Sequence, residues 1–144
     1  MSGATRHRGT GAAVDQASKR TGAPYGDQVA VRTFLIADVR GYTRFTIEHG
    51  DEAATGLAAR FADIARETVP AHGGEVIELR GDEALAAFFS ARQALRAAVA
   101  LMDAFFRHTQ SDPEMPLKVG IGLDAGEAVP LEGGYRGAAL NPAA

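Results

Sequence analysis

Two carboxylates carry most of the chemistry this sequence can offer. Asp38 ends an apolar run, and Asp82 stands in Arg80-Gly81-Asp82-Glu83, between two further apolar runs. Carboxylates from neighbouring strand ends that meet at one rim make a hard oxygen site, suited to Mg²⁺ or Mn²⁺ and open to phosphate oxygens. The peptides after Asp38, through Gly41, lead into a helix start, where free backbone N–H groups and the positive helix end favour phosphate. Acids at strand ends and hairpin tips are more often solvated surface groups, so these positions alone do not single out a function.

For Asp38 and Asp82 to meet, the elements around them must fall in a particular order. Val29 to Ala37 is an apolar run consistent with a strand buried on both faces. Val39-Arg40-Gly41-Tyr42-Thr43 reads as a turn into a helix, and Asp51 as the N-cap of a longer one. Leu57, Phe61, Ile64 and Thr68/Val69 mark one face of that helix, which Pro70 and Gly73-Gly74 close. Glu75 to Leu79 and Ala84 to Phe89 then form a β-hairpin with an acidic tip. Ser90 and Gln93 make a capping box for a helix that sets Leu95, Ala98/Val99, Met102 and Phe105/Phe106 on one side, and the loop at Ser111-Asp112-Pro113 ends it. Leu117, Val119, Ile121 and Leu123 alternate with polar or small residues as a half-buried strand. Ala125-Gly126-Glu127 is its expected turn, and Ala128 to Leu131 an edge that pairs back.

The resulting order is β-α-α-β-β-α-β-β. Without the split first helix and the last edge strand, it is an α+β, ferredoxin-like βαββαβ plan. There the first strand neighbours the hairpin, so both acids reach one rim.

Composition narrows the function classes. With 144 residues and 46% hydrophobic residues, the chain can build one domain with a real core. The absence of cysteine excludes disulfides, thiolate catalysis and cysteine-based metal sites. A net charge of -3 is too mild for broad nucleic-acid binding. Residues 1–28, rich in Gly, Ala, Ser and Thr, read as a flexible leader with a basic excess, and 29–144 as the folded domain. No secretion signal or spanning run stands out, so the expected location is cytoplasmic.

The words around the acids resemble a known family. Asp38-Val39-Arg40-Gly41-Tyr42-Thr43 resembles the D-[IV]-x-G-[FY]-T motif of class III adenylyl and guanylyl cyclases. Gly81-Asp82-Glu83-Ala84-Leu85-Ala86-Ala87-Phe88 resembles their G-D-x-x-x-A-x-F motif. Val119 to Glu127 is similar to their V-x-I-G-[LI]-x-x-G-[EP] strand, and Gly137-Ala138-Ala139-Leu140-Asn141 to their G-x-x-[VL]-N stretch. The four motifs stand in the family's order across roughly residues 31–144.

The resemblance implies an enzyme of intracellular signalling that converts a purine nucleoside triphosphate, GTP or ATP, to a 3′,5′-cyclic nucleotide and pyrophosphate. It implies two Mg²⁺ or Mn²⁺ ions held by Asp38, Asp82 and the Val39 carbonyl. Phosphates would rest on the backbone of Arg40, Gly41, Tyr42 and Thr43, and Asn141 would be catalytic. It also implies a homodimer with active sites at the interface. Purine choice would depend on Glu78, three residues before Gly81, and on Gly134, seven before Asn141. A carboxylate accepts from guanine N1–H and N2–H₂, so Glu78 leans towards GTP, whereas Gly134 offers no side chain.

The family carries an arginine four residues after its asparagine, and here the sequence stops at Ala144. The resemblance therefore implies a domain incomplete at its C-terminal end. Removing such an arginine costs several kcal/mol of transition-state stabilisation, which sets up the alternative expectation of a catalytically silent cyclase-like module that binds nucleotide or dimerises. Diguanylate cyclases share the ferredoxin-like core, but Arg80-Gly81-Asp82-Glu83 lacks their Gly-Gly-[Asp/Glu]-[Glu/Asp]-Phe tip. His49, His72 and His108 show no zinc-ligand spacing. Tyr42 and Phe45 suit core or dimer contacts better than base stacking, and Asp124 and Glu127 suit a solvated rim.

Overall fold

The apolar run before Asp38 forms β1 (Ala30–Val39), which continues one residue past that acid. A turn through Arg40 and Gly41 leads to α1 (Tyr42–His49), and Gly50 to α2 (Asp51–Ala71). The hairpin is β2 (Glu75–Arg80) and β3 (Glu83–Phe88), followed by α3 (Ala91–Ser111), β4 (Val119–Leu131) and β5 (Gly134–Arg136). This computed structural model describes residues 29–137 and residue 140. The leader read over 1–28 and Asn141 lie outside the described residues.

The sheet runs β2-β3-β1-β4-β5, with each neighbouring pair antiparallel. Its first four strands keep the ferredoxin-like order expected from the sequence. Alternation along β1 then divides the molecule. Leu35, Ala37 and Val39 face the three helices and join Leu57, Phe61 and Phe105 in the main core. The Phe61 and Phe105 rings, from α2 and α3, stack with centroids 5.4 Å apart, worth about 0.5–1.5 kcal/mol beyond burial. Phe34 points to the opposite, open face, where a smaller cluster joins Ala87 and Ala128 with Ile77, Leu85, Tyr135 and Leu140.

Helix ends follow local chemistry. α2 closes in a Schellman motif: Gly73, at φ 78°, donates to the Pro70 carbonyl, and Gly74 N–H to that of Val69. Ser90 caps α3 by accepting from the Gln93 N–H at 3.2 Å. Asp51, by contrast, is not a cap. Gly50 holds that position without a side-chain bond, and Asp51 is the first helical residue, acting with Glu52 on the helix dipole.

Two further expectations are corrected. α3 buries Ala94, Ala97, Ala98, Leu101 and Phe105, while Leu95, Val99, Met102 and Phe106 are exposed. The alanines let α3 come close to the sheet and α2, so Leu101 and Phe105 fill the gap and the other large side chains form an outward stripe. β4 also runs straight through Ala125-Gly126-Glu127, because its ladder with β1 is unbroken from Val119 to Ala128. The strand that pairs back is β5, against Val129, Pro130 and Leu131. Among the described residues, no helix is long and apolar enough to cross a membrane.

Candidate functional site

The junction of β1 with the β2–β3 hairpin brings the two acids to one rim. The hairpin link is Gly81-Asp82, with Gly81 at φ 51° in the first position, where glycine serves a tight turn. Val39 N–H donates to the Asp82 carbonyl at 2.9 Å, which ties the turn to the end of β1. In an antiparallel pair a residue's N–H and C=O point to the same neighbour, so the Val39 carbonyl is aimed at the turn carrying Asp82. The Asp38 side chain, between inward-facing Ala37 and Val39, lies on the open face and is 45% exposed.

The ladder adds a residue that motif reading passed over. Glu83 stands directly opposite Asp38 on β3, so both side chains share the open face. Counting the hairpin register back from its acidic tip would have found it. Among the described residues, no three His, Asp or Glu side chains gather into a metal-binding cluster. The donors at this rim, the Asp38 and Asp82 carboxylates and the Val39 carbonyl, are all oxygens, the donor type a hard divalent cation takes.

The segment after Asp38 divides its roles. Arg40 N–H is committed to the Lys118 carbonyl at 2.6 Å, so it is not a free phosphate donor. Gly41, at φ 73°, precedes α1 without a side-chain cap, and first-turn N–H groups such as those of Tyr42 and Thr43 have no intrahelical acceptor. Beside this helix start lies a cleft of about 450 Å³ whose walls carry Arg40, Arg44 and Lys118 against Glu48 and Glu114. Arg44 donates to Glu48 at 2.8 Å. That bond, reinforced by the opposite charges, holds the Glu48 carboxyl below its usual range and the Arg44 guanidinium above its own. Tyr42 and Phe45 serve packing: the Tyr42 hydroxyl donates to the Ala54 carbonyl at 3.2 Å, and the Phe45 ring is buried.

The two positions that the resemblance ties to purine choice also come together. A bulge between Val76 and Glu78 sets Glu78 opposite Leu85, on the open face. Glu78 and Gly134 line one cavity of about 330 Å³ with Ile77, Leu85, Tyr135 and Leu140. The Glu78 carboxylate accepts a hydrogen bond from Arg80, two residues on along β2. A larger cleft of about 570 Å³ between α2 and α3 contains none of the candidate residues.

No protein-family model matches the chain. Among curated proteins it is similar to the serine/threonine-protein kinase pkn2 of Myxococcus xanthus, 29% identical over 98 residues, and to the putative adenylate cyclase 3 of Rhizobium meliloti (strain 1021), 34% identical over 92 residues. These matches cover 67% and 62% of this chain but only 12% and 16% of the relatives, so the chain spans a small part of either. It carries no Val-Ala-Ile-Lys, His-Arg-Asp or Asp-Phe-Gly run, by which protein kinases hold ATP and its metal. Among solved structures, a bacterial light-regulated adenylyl cyclase aligns with a TM-score of 0.71 at 21% identity, over 79% of this chain and 38% of that one. The adenylate/guanylate cyclase/hydrolase from Silicibacter pomeroyi aligns with a TM-score of 0.65 at 27% identity, over 79% of this chain and 67% of that one. Strand order and solved structures agree on the fold: over its described residues, this chain has the fold of class III adenylyl/guanylyl cyclase domains.

Proposed function

We propose that this chain is a nucleotide cyclase domain acting on a purine nucleoside triphosphate, with GTP favoured over ATP. The observation that carries the reading is the tie between Val39 and Asp82, which sets Asp38 and Asp82 at one rim. In this reading Asp38, Asp82 and the Val39 carbonyl would hold two Mg²⁺ or Mn²⁺ ions, which when bound would acidify the ribose 3′-hydroxyl and offset the triphosphate charge. The 3′-hydroxyl gives its proton to solvent water and its oxygen bonds to the α-phosphorus, while the bond to the bridging oxygen breaks and pyrophosphate leaves. The chain's own part is positioning. The N–H groups of Gly41, Tyr42 and Thr43 receive phosphate oxygens at the positive end of α1. Glu78 accepts from the guanine edge in the cavity it shares with Gly134. The exposed part of the sheet face that the helices leave uncovered is the surface for a second copy, so that two subunits build each site.

Incubation with radiolabelled GTP or ATP and Mn²⁺ tests this. Cyclic product that disappears in Asp38→Ala is expected, with GTP the better substrate and Glu78→Lys eroding that preference. Protection of the chain by Mn²⁺ and nucleotide without turnover would assign it to the silent, nucleotide-binding class. Neither turnover nor protection overturns both.

A further inference from the structure

The Arg40 side chain has no task in the reading above, yet its place is well defined. Its Nε lies 3.8 Å from Asp38 Oδ1. Its guanidinium also lies across Gly120, so closely that a Cβ there would overlap Nε, Cζ and Nη2. Gly120 is the residue of β4 directly opposite Asp38, as Glu83 is on β3. The open face thus presents a row across three strands, Glu83–Asp38–Gly120, with two acids side by side and then a place without a side chain. Like charges directly opposite each other destabilise a sheet, and the guanidinium fills the empty place next to them. The hydrogen bond from Arg40 N–H to the Lys118 carbonyl, at 2.6 Å, fixes the backbone that delivers it.

We propose that Arg40 is the resident counter-ion of Asp38, seated in the notch over Gly120, where it competes with a divalent cation for that carboxylate. The inference rests on the reading of Asp38 as a metal ligand. A guanidinium recognises phosphate as readily as carboxylate, and the cleft that Arg40 shares with Arg44 and Lys118 opens beside the α1 N-terminus. A bound polyphosphate therefore draws Arg40 off Asp38, and cation binding becomes stronger when nucleotide is present.

The test is the affinity for Mn²⁺ alone, by calorimetry or electron paramagnetic resonance, on the full chain without nucleotide. An exposed ion pair contributes about 0.2–1 kcal/mol, so Arg40→Met is expected to tighten Mn²⁺ by a factor between about 1.4 and about 5. Arg40→Lys, which keeps the charge, stays near the parent value. Gly120→Ala reaches the same end by another route: its methyl group takes the guanidinium's place, and Mn²⁺ tightens although Arg40 is intact. Asp38→Asn identifies the site. Binding that depends on Asp38 but is unchanged in Arg40→Met and Gly120→Ala overturns the counter-ion role and leaves the metal reading intact. Mn²⁺ binding indifferent to Asp38→Asn overturns the metal reading, and the counter-ion role with it.

Discussion

The two faces of the sheet are built from the same strands and do opposite work. Along β1, Leu35, Ala37 and Val39 lock the sheet to the helices, while Phe34, Ile36 and Asp38 look the other way. The helix-covered face is closed by large side chains, Phe61 and Phe105 among them. The open face carries Asp38, Glu83, Glu78 and their arginines, all at least partly exposed. Stability thus resides mainly on one side of β1 and ionic chemistry on the other, one residue apart. A one-residue slip of register would exchange them.

The largest expected effect tests that division directly. Phe61 is fully buried and stacked on Phe105, so Phe61→Ala should cost about 3–5 kcal/mol in urea unfolding. Asp38→Ala removes an exposed partner and should change stability by less than about 1 kcal/mol, while in our reading it abolishes cyclase activity. Comparable losses of stability from the two substitutions would break the comparison.

A pair of glycines sharpens it. A Cβ on Gly74 would strike the Phe88 ring, and one on Gly120 the Arg40 guanidinium. The nominal overlaps are alike, but Phe88 is locked in the helix-side core, whereas Arg40 is an exposed, flexible chain. Gly74→Ala should therefore cost about 1–3 kcal/mol by overpacking. Gly120→Ala should leave the midpoint of thermal unfolding nearly unchanged, because the side chain it displaces has solvent to move into.

What could be read in advance follows the same line between local and non-local causes. The order of elements came from hydrophobic period and turn residues, which are local signals. Asp38 and Asp82 were legible because motif words surround them and the strand order then brings them together. The face of α3 is legible only in part, through Ala98 and Phe105, because the helix carries two apolar stripes at helical spacing and close packing selects the alanine side. The straight run of β4 through Gly126 depends on its ladder with β1, which no local turn signal reports. Glu83 beside Asp38, Arg40 over Gly120 and the bulge that turns Glu78 into the Gly134 cavity are likewise facts of register between strands.

The smallest expected effect concerns an exposed ion pair on α1, and it serves as a reference for Arg40 and Asp38. Arg44 and Glu48 lie one turn apart on α1 at 2.8 Å, closer than the 3.8 Å of the rim pair. The hydrogen bond and opposite charge of Arg44 lower the Glu48 pKa. A carboxylate with a lowered folded-state pKa adds stability that is present above its unfolded value and lost as pH falls through the folded one. Glu48→Gln should thus be felt at neutral pH and vanish in acid, and added salt should weaken it, since both side chains are exposed. A carboxyl-carbon NMR titration reads this directly: Glu48 should titrate below an ordinary glutamate and return towards it in Arg44→Ala. An ordinary titration in the parent chain would mean that the pair does not persist in solution. The longer contact between Arg40 and Asp38 would then have to draw its persistence from the Gly120 notch and the pinned Arg40 backbone rather than from charge alone.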